Sequence, residues 1–189
     1  MAYQLCVETA DATDSLIDQI VDPSFYSDEY ASEALELWKK IALWECLEYL
    51  AYQMEKVRFT FHPGEKTISM FSKMLDDFSV SQIYCIIYKS VDKACREKQS
   101  RNLSTAHAAN TVIYYCGCYA DNIKLKGWGV GSYQRIKDLP QCELSRYFFN
   151  SVIRIGDKGF ENVPNLNDLM VVNTDAIVES NEEQNEDCS

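Results

Sequence analysis

Turn-forming residues are scarce in this chain, with seven glycines and four prolines among 189 residues. An all-β protein turns often and needs such residues at its turns, so the shortage argues against that class. Histidine is scarcer still, at two residues, His62 and His107, and no Cys-x-x-Cys pair occurs. Zinc sites draw clustered Cys and His ligands from such pairs, so neither a structural nor a catalytic zinc is expected, and no other cofactor. No apolar run approaches the roughly 18 residues that a bilayer-crossing helix needs, and no basic-then-apolar leader is visible. These absences point to a soluble, cytoplasmic protein without a membrane partner.

What is present is a well-stocked core. Apolar residues make up 47% of the chain and aromatics 12%, a composition that folds rather than one that stays disordered. The eight cysteines, at 6, 46, 85, 95, 116, 118, 142 and 188, are scattered. Cys116 and Cys118 are two apart on a helical stretch and point in different directions, so they do not share a metal. The cysteines read as reduced, partly buried small hydrophobes.

The formal charge of −11 is unevenly spread. Residues 1–55 hold 12 acidic and 2 basic side chains, residues 56–160 hold 9 and 16, and residues 161–189 hold 8 acidic and none basic. An acidic front and tail therefore flank a mildly basic middle, and this asymmetry is the strongest functional hint in the composition.

The clearest structural signal is a helical pair over 79–126. Ser79 followed by Gln82 fits a capping box, and Val80, Ile83, Tyr84, Ile87, Tyr88, Val91, Ala94 and Cys95 recur at helical spacing. The second helix is capped by Ser104 or Thr105 and stopped by Gly127. Its inner stripe of Ala106, Ala109, Ile113, Cys116, Ala120 and Ile123 is small enough for close packing.

Ahead of the pair, 14–21 reads as a brief helix and 28–57 as one long helix at the middle of the bundle, anchored by Trp38 and Trp44. Its carboxylates are oddly placed: those of Glu29, Glu33 and Glu36 share one face, while those of Glu45, Glu48 and Glu55 share another, turned by about 100°. A shorter helix spans 63–76, and Leu139–Pro140 opens another with Leu144, Tyr147, Phe148, Val152 and Ile155 as its stripe. The reading is an all-α single domain of five or six helices over 12–160, with an arm at 1–11 and a disordered acidic tail at 161–189. Its core should include Leu37, Trp38, Ile41, Trp44, Phe71, Ile83, Ile87, Val91, Ile113, Cys116, Leu144, Phe148 and Val152.

No catalytic constellation emerges. His107 is nine residues from Cys116, so the two cannot meet within one helix. Gly127, Gly129 and Gly131 follow a helix, whereas a phosphate-cradling loop follows a strand. Helices 63–76 and 80–98 have the outline of a helix-turn-helix, yet the second opens on Val80, Ser81, Gln82, Ile83 and Tyr84, which suit a core better than base edges. A non-enzymatic protein is expected.

Two binding surfaces compete. The carboxylates of Glu29, Glu33, Glu36, Glu45 and Glu48 suit a basic protein partner. Lys89, Lys93, Arg96, Lys98, Arg101, Lys124 and Lys126, with Trp128 for stacking, suit nucleic acid.

The runs SVSQIYCIIYKSVDKA, AHAANTVI and LKGWGVGSYQRIKDLPQCELSRYFFNSVIRIGDKGF resemble a family of small proteins from phages, plasmids and conjugative elements of Gram-positive bacteria. The resemblance covers about 35–160 and carries no catalytic residues across. It implies a mobile element inside a bacterial host, where small acidic proteins resemble inhibitors of host defence, anti-CRISPR proteins among them. On that reading the partner is a host protein such as an RNA-guided nuclease complex. The alternative is a nucleic-acid-binding accessory protein of the mobile element.

Overall fold

The computed structural model describes residues 28–169, with side chains from residue 30 onward. In chain order its elements are α1 (Asp28–Lys56), α2 (Glu65–Met74), α3 (Val80–Arg101), α4 (Thr105–Lys126), α5 (Glu143–Tyr147), a π-helical turn (Phe148–Val152) and α6 (Lys158–Glu161). Residues 166–169 add a last helical turn, and no strand occurs among the described residues. The fold is all-α, as the turn-poor composition implies. The arm at 1–11, the helix expected at 14–21 and the acidic stretch after Leu169 lie outside the described residues. Packing runs past the boundary expected at 160, since Pro164 and Leu169 are both buried.

The hub is α3, which packs on α4, α1 and α6. Its first half is apolar nearly all round: Val80, Ile83, Tyr84, Cys85, Ile86 and Ile87 are all buried. The middle of the bundle therefore belongs to α3, not to α1. Ser79 and Gln82 make the capping box, with Gln82 N–H donating to Ser79 Oγ at 3.3 Å and Ser79 N–H donating to Gln82 Oε1 at 3.1 Å. Ser90 sits mid-helix without orphaning its hydroxyl, which donates to the Ile86 carbonyl at 2.7 Å. Asn102 then ends α3 in the left-handed conformation at φ 50°, a backbone shape that asparagine tolerates better than most residues.

The chain reverses through 102–104, and α4 runs back antiparallel. Ser104, not Thr105, is its cap, accepting from the His107 N–H at 3.3 Å. Gly127 closes it at φ 61°, with its N–H on the Ile123 carbonyl. Lys98 reaches Thr105 at one end of the pair, and Lys124 reaches Asp77 at the other. Ala108, Ala109, Val112, Cys116 and Ala120 make the close contact with α3, whereas Ala106 faces solvent.

Helix α1 is unbroken. Trp38 is its core anchor: fully buried, it lies edge-on to Phe149 at 6.1 Å and donates its indole N–H to the Gly159 carbonyl at 2.9 Å. Tyr49 stacks on Tyr84 at 3.8 Å, and Tyr84 meets Phe160 edge-on at 5.2 Å. One aromatic column therefore joins α1, α3 and α6.

Three expected core residues are exposed instead: Leu37 at 41%, Trp44 at 66% and Leu144 at 65%. Leu37 and Trp44 fall on the outer side of α1, which carries apolar residues round its whole circumference, more than one buried face can take. Leu144 is displaced by local geometry. After Tyr147 the helix widens, and the Ile153 N–H reaches back five residues to the Phe148 carbonyl at 2.9 Å. The inward positions become Ser145, Phe148, Phe149 and Ile153, and Tyr147 is turned out with Leu144.

Gly159 tests this packing directly. A Cβ there would sit 2.5 Å from the Phe149 ring, which Trp38 and Phe148 hold in place. Gly159→Ala should lower stability by about 1–3 kcal/mol in urea titration. An unchanged midpoint would show that the ring has room to give.

Candidate functional site

On α1 the carboxylates separate into two kinds. Glu45, expected to face a partner, is 6% exposed and belongs to the core. Its Oε1 receives the Arg135 guanidinium at 3.0 Å and the Ser145 hydroxyl at 2.6 Å. Tyr84 donates to the Glu45 backbone carbonyl at 3.4 Å, while Oε2 has no hydrogen-bond partner. Arg135 also lies 4.2 Å from the Phe160 ring. A buried carboxylate is tolerated only when paired, and here the pairing fastens the irregular stretch 128–142 and α5 onto α1.

Burial pushes the Tyr84 phenol well above its ordinary range, with the Glu45 charge adding to the effect. Cys46, buried beside this network, is also raised, first by burial and then by Glu45.

The other described carboxylates of α1, those of Glu33, Glu36, Glu48 and Glu55, face outward. At about 100° per residue, Glu33, Leu37, Lys40, Trp44, Glu48, Ala51 and Glu55 fall within about 40° of one direction, and every one of them is exposed. The stripe is about 33 Å long. Glu36 flanks it, 3.9 Å from Lys40. Removing Glu45 dissolves the apparent rotation between the two halves of the helix, because Glu33, Glu48 and Glu55 share a face. The side chain of Glu29 lies outside the described residues.

Beside Trp44 is a groove of about 470 Å³ lined by Trp44, Leu47, Glu48, Pro63 and Ile68. Pro63 and Gly64 precede α2 as an extended entry, which is what leaves room between α1 and α2.

The basic residues do not form one patch. Arg101, the last residue of α3, and Lys126, the last of α4, lie at opposite ends of the antiparallel pair, about 33 Å apart along it. Most are also occupied by neighbours. Lys93 sits 3.9 Å over the Tyr115 ring, Arg96 pairs with Asp92, and Lys98 lies 5.3 Å over Phe59. Arg101 is 4.0 Å from Glu97, Lys124 is 2.6 Å from Asp77, and Lys126 lies 4.5 Å over Trp128. Among the described residues Lys89 alone of the seven has neither an ion pair nor an aromatic partner. The outline of a helix-turn-helix is present in α2 and α3, but the first turns of α3 are buried and out of reach of a DNA groove.

His107 is exposed on the first turn of α4, beside a groove that also includes Arg101, Asn110 and Tyr114. Cys116 is buried, and burial pushes its thiol up to about 12, opposite to the shift that activates a nucleophile. Among the described residues no group of three His, Cys, Asp or Glu side chains is placed to hold a metal ion. No described helix is long and apolar enough to cross a membrane.

Charge alone marks Glu45 as a surface residue in the sequence, and no spacing distinguishes it from Glu48. Trp44, the most prominent feature of the outer face, has the size and apolarity of a core residue. Comparison with protein-family models, with curated proteins and with solved structures finds no match to this chain.

The Glu45 network yields a stability test. Arg135→Ala leaves a buried carboxylate without its cation and should cost about 3 kcal/mol, read from chemical denaturation. A loss under about 1 kcal/mol would mean that Glu45 is stabilised without Arg135.

Proposed function

We propose that this chain is a non-enzymatic binding protein that docks a basic surface of a partner protein through the outer face of α1. The observation that carries this is the exposure of Trp44, 66%, at the centre of a helical face whose carboxylates are Glu33, Glu36, Glu48 and Glu55. An exposed tryptophan on a face that carries four carboxylates and one lysine, Lys40, has the composition of an interface hot spot, since its large ring buries much area on contact while the charges select and steer the partner. A row of carboxylates on a rigid helix also matches a groove built to hold phosphates. With the mobile-element setting that the sequence resemblance implies, the favoured partner class is a host defence enzyme that handles nucleic acid, an RNA-guided nuclease being one such enzyme. Inhibition would then be occupation of its nucleic-acid surface. The alternative of direct nucleic-acid binding has less support, because its cations are strung along the length of a helix pair and largely engaged by neighbours.

The test begins with affinity capture from the natural host and then measures binding over a salt series. Replacing Glu33, Glu36 and Glu55 together by Gln should weaken binding and flatten its salt dependence, while the melting temperature stays unchanged because these side chains are solvated. Trp44→Ala should weaken binding by about tenfold or more. Equal binding by the triple variant with the same salt slope overturns acidic docking. Loss of binding on replacing Lys89, Lys93, Arg96 and Arg101 by Gln, with free DNA or RNA as the ligand, would favour the alternative.

A further inference from the structure

We propose that the groove between α1 and the entry to α2 receives an arginine side chain from the partner protein, which makes it the specificity pocket of the interface. The inference rests on the reading that the outer face of α1 is that interface. It starts from an asymmetry in the groove's chemistry. Four of its five lining residues, Trp44, Leu47, Pro63 and Ile68, offer apolar surface, and the fifth is Glu48. Among the described residues the Glu48 carboxylate has no ion-pair partner.

Each class of occupant meets these walls differently. A purely apolar side chain would cover Leu47 and Ile68 but strip water from Glu48 without replacing its hydrogen bonds, which is costly. An anion would be repelled by Glu48. A cation on an apolar stem satisfies both parts of the site. Its methylenes lie along Leu47, Pro63 and Ile68 while its head reaches Glu48.

Of the two candidate cations, arginine fits better. Its planar guanidinium can take the carboxylate in a two-pronged bond and stack on the Trp44 indole at the same time, whereas a lysine ammonium is a strongly hydrated point charge. The charge of the surroundings favours the same partner. Among the described residues the only cation on the outer stripe is Lys40, which is 3.9 Å from Glu36 and so partly neutralised.

The groove is testable without the partner. Isotope-labelled protein is titrated with N-acetyl-arginine methylamide while the indole N–H resonances of Trp38, Trp44 and Trp128 are followed by nuclear magnetic resonance. Trp44 should shift saturably with a dissociation constant of about 1 mM, the range open to so small a ligand, with the Ile68 amide moving in step. Buried Trp38 should stay still, and so should Trp128, which lies outside the groove. N-acetyl-citrulline methylamide has nearly the same shape without the charge and should bind at least about tenfold more weakly, as should the arginine probe to Glu48→Gln. The groove is not an arginine pocket if Trp44 fails to shift, if citrulline binds as well as arginine, or if Glu48→Gln changes nothing. Glu33, Glu36 and Glu55 lie outside the groove, so their effect on partner binding tests the interface independently of this titration.

Discussion

The buried Glu45 carboxylate is the constraint on which the second half of the chain depends. Helices α1 to α4 can pack by apolar contact alone, but 128–142 has no regular secondary structure to satisfy its backbone. Besides the packing of Val130, Tyr133, Ile136 and Leu139 against the core, it is held by discrete polar contacts: Arg135 on Glu45, the Tyr133 N–H on the Ser81 carbonyl at 3.0 Å, and the Tyr52 hydroxyl on Asp138 at 2.7 Å. Ser145 must face inward to reach Glu45, and that sets the phase of α5. The π-turn that follows readjusts the phase so that Phe148 and Phe149 are buried and Phe149 meets Trp38. One unpartnered oxygen, Glu45 Oε2, is the cost of a charge at that depth.

The same constraint defines the outward face. With Glu45 turned in, Glu33, Glu48 and Glu55 line up along a single solvent-facing stripe about 33 Å long, and the segment anchored by Glu45 does not cover it. Trp44 is exposed there, next to a groove with one acidic wall. Structural and recognition roles thus sit on neighbouring residues of one helix, Glu45 and Trp44, about 100° apart round its axis.

Much of this is legible in the amino-acid sequence. The capping box at Ser79 and Gln82, the stop at Gly127 and the apolar stripe of α3 are local signals, each produced by residues within a turn or two of one another, and local signals survive folding. What is not legible depends on distant segments. Glu45 is buried because Arg135 and Ser145, about a hundred positions away, come to it, and a lone glutamate gives no sign of that. Trp44 reads as a core residue because size and apolarity favour burial on average, while α1 has apolar residues on every side and so no period to rank them. Leu144 is misplaced by its spacing because a π-turn shifts the phase of a helix without a composition of its own. The basic residues look like a patch because a sequence shows their number but not that an antiparallel pair separates its ends.

The central claim is that the buried Glu45–Arg135 ion pair is needed to keep an irregular segment on the bundle, away from the outer face of α1. Hydrogen exchange at residue resolution addresses it most directly, comparing the native chain with Glu45→Gln. The account predicts that the Tyr133 amide, bonded to the Ser81 carbonyl, is protected in the native chain and loses protection in the variant, while α3 amides from Ile83 to Val91 stay protected in both. Protection of the Tyr133 amide that is indifferent to the substitution, or absent from the native chain, would contradict it.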